Sequence, residues 1–589
     1  MQEKLMGKFR RNIKLKKTAV VFLFLILPLV LDAQVTVRDT IITWHTFDYT
    51  LNEDNTVHWS TSEEYDIVER TFSGIVLENE YLKVTLLPEM GGRILSIIYK
   101  PTGHEELYIN HAGAPYGIGE DWFYYKWLMV YGGIFPTLPE PEHGKAWLLP
   151  WESTLVKEGP DTVGVRMSWR DTVQLEGINE GKWKYGMTNL KCDFTVSLIK
   201  GKSSVEADIA LYNESDEKLD YEYWTCLTLA PGSDPADPKC TEGTEIIIPA
   251  TKVKIPSWYP DIASREQRIM GQIFTFNTLR YWANWSNEGI AYPWDDPNEN
   301  YWGLINHDNG EGIIRVSDNN KTPGIKIWAW GYEQSQDIDP FKDPGQVNRP
   351  YVELWAGHSS EFFEAAEIDM NIVKEWKEVY VPTIGLTNVT NANNEIIANF
   401  KIDDANNVSL EFVTTNPGNE LDVSVEITGQ YPETLISETI LPDPINGNNV
   451  TTSLPVNNSW GDNDSLVCTI SDSENSVSLA SSIPLNSVIT RTDDYPHTIE
   501  TDYKIYQNYP NPFNPETIIS YSLPKGDIVM LKVYDTLGRE VAELVNGFKN
   551  AGTHNVIFNA AENNLSAGIY FYTLRTASYS QTCKMLLLK

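Results

Sequence analysis

The chain has 589 residues, roughly four times the ~150 residues of a typical domain, so a single compact unit is excluded. Asp and Glu outnumber Lys and Arg by 81 to 46, and the net charge of −35 repels phosphate backbones and anionic bilayers, which excludes nucleic acid as a partner. Hydrophobic residues at 41% and charged residues at 22% exclude wholesale disorder, and five cysteines (Cys192, Cys226, Cys240, Cys468, Cys583) allow at most two bridges and show no metal-ligand spacing.

Residues 1–17 carry seven Lys or Arg and one Glu, and Thr18–Leu31 is a predominantly apolar run of 14 residues. That run is shorter than the ~20 residues needed to cross a bilayer, so residues 1–33 read as a secretory signal peptide. No later stretch is long and apolar enough to span, so the mature chain is expected to lack a transmembrane segment. Its charge becomes −40, because the signal holds seven basic and two acidic residues.

Residues 34–380 form the next expected domain. They contain 18 of the 19 tryptophans, Trp44 to Trp376. Aromatic faces stack on the C–H surfaces of sugar rings, so part of this excess points to a carbohydrate-binding face and the remainder to a core. The patterning is that of strands, at Tyr81–Leu87, Ile94–Tyr99, Val163–Trp169, Cys192–Leu198, Val205–Tyr212, Ile313–Val316, Ile325–Trp330 and Tyr351–Leu354. Helical periodicity is scarce, which predicts an all-β fold built on a large antiparallel sandwich.

The segment VLENEYLKVTLLPEMGGRILSIIYKPTGHEELY resembles the opening strands of galactose-mutarotase-like domains. YGGIFPTLPEPEHG, YWGLINHDNGEGIIRVSDNNKTPGIKIWAWG and YVELWAG are similar, in that order, to a domain-of-unknown-function family within that superfamily. The resemblance implies a β-supersandwich over residues ~70–380 with a concave face that handles sugars. Aldose epimerases, polysaccharide lyases and glycosidase domains share the fold, so the fold does not choose the reaction.

Glu353 alternates with Val352 and Leu354 and therefore shares a face with Tyr351 and Trp355. Carried over from the superfamily, it is the candidate catalytic carboxylate, with His143 and His307 as candidate acid–base partners. Arg93, Tyr131, Lys326, Trp328 and Trp355 are the candidate substrate-binding residues. The two-histidine set of true aldose epimerases is not matched, which leaves lyase chemistry, glycosidase chemistry with Glu140 or Glu142 as a second carboxylate, or binding alone. Whether the chain is an enzyme stays open, with a polysaccharide-processing enzyme favoured over a non-catalytic glycan-binding surface protein. No cofactor is called for: the acidic stretches Asp295–Asp296 and Asp337–Asp343 lack EF-hand spacing, so calcium is unsupported.

Residues 381–490 shift to Asn, Ser, Thr and Asp, with Leu421, Val423, Val425 and Ile427 alternating. They are expected to form an immunoglobulin-like sandwich acting as a spacer. Residues 491–503 read as a linker. From Lys504 the motifs Tyr509–Pro515 (YPNPFNP), Tyr534–Val541 (YDTLGREV), Gly568-Ile569-Tyr570 and Lys584-Met585 resemble the type-A C-terminal sorting domain of the type IX secretion system of Bacteroidetes-like bacteria. Alternation around Val529–Val533 and Val556–Phe558 predicts a small β-sandwich there. This resemblance implies handling by the type IX machinery, passage through the periplasm and across the outer membrane, and a secreted or surface location.

Overall fold

The computed structural model describes residues 34–588 apart from short loop stretches, the longer of which are 60–66, 117–126, 174–187, 330–349 and 486–502. The signal segment, Tyr131, His143, Glu140 and Glu142, the two acidic stretches and linker residues 491–502 lie outside the described residues. The described chain is almost entirely β, with a single 3-10 turn at Trp282–Asn284. All eight predicted strands are present, their ends displaced by at most a few residues; Ile94–Tyr99 begins at Arg93 and Ile325–Trp330 spans Gly324–Ala329.

The chain divides into two compact units. The first holds residues 1–239, 320–330 and 334–380; the second holds residues 240–319, 331–333 and 381–589.

In the first unit a large sheet runs Gly324–Ala329, Val352–Gly357, Trp224–Ser233, Ile134–Thr137, Arg93–Tyr99, Leu82–Leu87, Ile67–Glu78 and Thr36–Phe47. His104–Leu107 pairs beside Trp224–Ser233 and Arg93–Tyr99. A second sheet runs Glu152–Glu158, Thr162–Arg170, Lys191–Ile199, Val205–Asn213 and Ile372–Ile384. Leu227, Leu354 and Ile327 point to one side of the large sheet and are sealed from solvent, as are Phe194, Val196 and Leu198 of the second. A buried polar link joins the sheets: Thr225 Oγ1 donates to Glu378 Oε1 at 3.0 Å, and Trp376 Nε1 and Tyr380 Oη also donate to this carboxylate. Three side-chain bonds satisfy a charge that burial would otherwise make costly.

The turn into strand Arg93–Tyr99 depends on glycine. Gly91 and Gly92 adopt φ of 72° and 57°, and a Cβ on Gly92 would lie 2.5 Å from Cδ2 of Trp151.

In the second unit, Thr244–Ile247, Tyr301–Asn306 and Glu311–Val316 pair in that order, as do Ile273–Thr275, Lys252–Lys254 and Gly289–Pro293. Residues 391–484 form two four-stranded sheets around a core including Phe400, Phe412, Val423, Val425 and Cys468. This is the expected sandwich, and along strand Leu421–Thr428 buried residues alternate with exposed or half-buried ones. Residues 504–587 form a three- and a four-stranded sheet around Phe513, Leu531, Phe558 and Tyr572. All five cysteines are unbridged.

Candidate functional site

Strand pairing assembles one continuous face from distant parts of the chain. Across the sheet, Trp328 is opposite Glu353, and Lys326 opposite Trp355. On the other side of that strand Thr228 is opposite Glu353, Cys226 opposite Trp355, and Trp224 opposite Gly357. Phe135 then pairs with Cys226 and Thr137 with Trp224. Directly opposed residues project to the same side, so all of these side chains share a face, away from Leu227, Leu354 and Ile327. Arg93 joins them, its guanidinium 4.4 Å over the Phe135 ring.

Glu353 is 3% exposed. Tyr351 Oη donates to its Oε1 at 3.1 Å and Trp355 Nε1 to its Oε2 at 2.9 Å. Burial raises its pKa above the usual carboxylate range, opposed by the charge of Lys326 and by the two donors. Tyr351 is fixed by a parallel stack on Tyr108, ring centroids 4.1 Å apart. The Lys326 ammonium lies 3.4 Å from the Trp355 ring centroid and 3.7 Å from that of Phe362, an arrangement that stabilises a cation away from water. Trp328, 5.7 Å from that ammonium, is half-buried.

Arg93 is fully buried, and its described donors go to main-chain oxygens: Nε to Met90 O at 2.7 Å and Nη1 to Gly132 O at 2.9 Å. Burial lowers its pKa to about 9. The nearby Glu89 accepts from Ser73 N at 3.0 Å. His307 belongs to the second unit, where its Nε2 meets Glu245, a carboxylate also paired with Arg280.

The structure thus brings together Glu353, Trp355, Lys326, Trp328 and Arg93. It adds Tyr108, Cys226 and Thr228, which no local pattern singles out. It also adds Glu106: strand His104–Leu107 pairs Leu107 with Leu229, so alternation puts the fully buried Glu106 on the side of Thr228 and Glu353. The adjacent acidic pair in His104-Glu105-Glu106-Leu107 was the only signal available in the sequence. Among the described residues no cluster of His, Cys, Asp and Glu has the form of a metal site. Of the eleven tryptophans between Trp44 and Trp376 whose side chains are described, nine are buried, Trp328 is half-buried and Trp294 is exposed.

Two family models match the chain. Residues 49–126 match DUF5107, a domain of unknown function, and residues 507–588 match the secretion system C-terminal sorting domain. Among solved structures, the chain is similar to a TPR-domain containing protein from Parabacteroides distasonis at 18% identity and a TM-score of 0.45; the likeness covers 59% of this chain and 55% of that one, just over half its length. It is also similar to a galactose mutarotase-like protein from Clostridium acetobutylicum at 10% identity, covering 53% of this chain and 96% of that one, with a TM-score of 0.37. A galactose mutarotase-like protein from Lactobacillus casei is 9% identical over 53% of this chain and 100% of its own, TM-score 0.32. No helix among the described residues is long and apolar enough to cross a membrane. The chain therefore carries a DUF5107 segment near its N-terminal end and closes in a secretion system C-terminal sorting domain, which marks it for type IX export to the cell surface or beyond.

Proposed function

We propose that the chain is an exported carbohydrate-active protein that holds a saccharide on the Glu353 face and processes a polysaccharide there. The observation that carries this reading is the setting of Glu353: a buried carboxyl with a raised pKa, beside the Lys326 ammonium, on a face that also bears Tyr351, Trp355 and the half-buried Trp328. A carboxyl pushed toward its neutral form is suited to giving a proton to a leaving glycosidic oxygen, and aromatic rings suit the C–H faces of the sugar. In a hydrolytic version Glu353 donates that proton while a second carboxylate on the same face, Glu106, assists the attack of water on the anomeric carbon. In a lyase version Glu353 protonates the leaving oxygen and another group removes the C5 proton.

A second reading, glycan binding without turnover, is favoured by one feature. Both oxygens of Glu353 already accept bonds from protein side chains, as a carboxylate kept for architecture would. A polysaccharide screen of the mature chain, read by reducing ends and by unsaturated-uronate absorbance, separates the two. Product formation lost in Glu353→Gln supports the first reading, whereas retention in affinity gels without product from any glycan supports the second. Neither product nor retention sinks both.

A further inference from the structure

We infer that the saccharide taken by this face is uncharged, and that polymers of uronic acids are excluded from it. The inference rests on the face being a saccharide site and narrows its substrate class. A site for a uronate needs a cation whose donors turn toward the ligand carboxylate, and β-elimination needs one more strongly, because negative charge builds on that carboxylate as the C5 proton leaves.

Among the described residues two cations stand on the face, and the fold has used both. Arg93 directs Nε and Nη1 to the main-chain oxygens of Met90 and Gly132 and lays its plane on Phe135. Turning it to a ligand would strip hydrogen bonds from two carbonyls in the interior, each costly to leave unmade. Lys326 is 1% exposed, with the rings of Trp355 and Phe362 against its ammonium. Lys145, just past the PEHG motif, is equally engaged, donating to Asp171 Oδ2 at 3.2 Å and Val173 O at 3.1 Å.

The acidic groups point the other way. Besides Glu353, the face carries Glu106, and Glu222 accepts from Trp224 Nε1 at 3.1 Å. An arriving uronate carboxylate would meet carboxyl groups and aromatic edges and faces. The hydroxyls and C–H surfaces of a neutral sugar meet acceptors and rings, the chemistry these residues offer. Hydrolysis and simple binding stay compatible with the face; β-elimination does not.

The test uses the full mature chain and a matched pair of polymers, a polyuronate and the same polymer after carboxyl reduction, beside a panel of neutral polysaccharides. Binding is measured at ~1 M salt, where the Debye length shrinks to about 3 Å and the overall negative charge of the chain no longer decides the outcome. The expected result is retention on at least one neutral or carboxyl-reduced polymer, at least about tenfold weaker retention on every polyuronate, and no unsaturated product. Trp328→Ala is expected to abolish the retention. Tighter binding of a polyuronate, or unsaturated products from one, overturns the inference while leaving the saccharide reading in place. Retention unchanged in Trp328→Ala overturns it by removing the ligand from this face, and failure to bind any glycan of either class overturns the saccharide reading together with the inference.

Discussion

The indole Nε1 of Trp355 donates to Oε2 of Glu353 at 2.9 Å. The same ring lies against the ammonium of Lys326, so one side chain touches an acid and a cation of the face with different parts of its surface. Edge and face have opposite electrostatic character in an aromatic ring: the N–H edge supports an anion and the π cloud a cation.

Glu353→Gln keeps the shape of the side chain and removes its proton chemistry. If Glu353 is the acid, turnover on the best substrate is expected to fall by about 100-fold or more, with binding and thermal midpoint close to wild type. A fall of less than about threefold in kcat takes this residue out of the chemistry.

Trp355→Phe deletes one of the two donors that favour the Glu353 carboxylate. Those bonds lower its pKa against the larger effect of burial, so their loss raises it further. The limb of the kcat/KM pH profile that belongs to Glu353 is expected to move to higher pH. An unmoved limb, or one shifted to lower pH, contradicts the assignment.

Glu105 is a separate buried carboxyl, held by the main-chain N–H groups of Ile97 and Leu107 at 2.8 and 3.0 Å and by the Ser96 hydroxyl. Burial raises its pKa to about 7 from the ordinary 4.5. Between those values the folded chain binds more protons than the unfolded chain, so this group's contribution is complete below about pH 4.5 and is lost as the pH rises through about 7. At ~1.4 kcal/mol per unit, Glu105→Gln is expected to gain up to about 3 kcal/mol relative to wild type between acid and mildly alkaline pH. Paired urea titrations across that range measure it, and a pH-independent difference refutes it.

Gly92→Ala places a methyl group against the Trp151 indole at a left-handed backbone position. Overpacking and backbone strain together are expected to cost about 2–4 kcal/mol. The thermal midpoint reports this directly, and an unchanged midpoint would mean that the turn and Trp151 move apart without cost.

Much of the architecture was legible in the chain because strand patterning and turn chemistry are local. Alternation at Tyr351–Trp355 puts Glu353 beside its two hydrogen-bond partners, alternation around Val529–Val533 and Val556–Phe558 marks the terminal sandwich, and the YPNPFNP and YDTLGREV motifs mark the sorting domain. The expected substrate role of Arg93 could not be weighed in the same way. Its sequence context shows a cation at the exit of a glycine turn, yet its donors end on the carbonyls of Met90 and Gly132, the second 39 residues away.

By itself, then, the sequence determined the all-β class, the strand faces, and the export tail, since each is written in neighbouring residues with a period of two or in a contiguous motif. Only the tertiary structure decided which strands lie side by side. The pairing of Cys226 with Trp355 and of Phe135 with Cys226 joins positions far apart in the chain. The same pairing decided which charges are spent on the fold, because burial and the choice of hydrogen-bond partner belong to the assembled sheet and to no single strand.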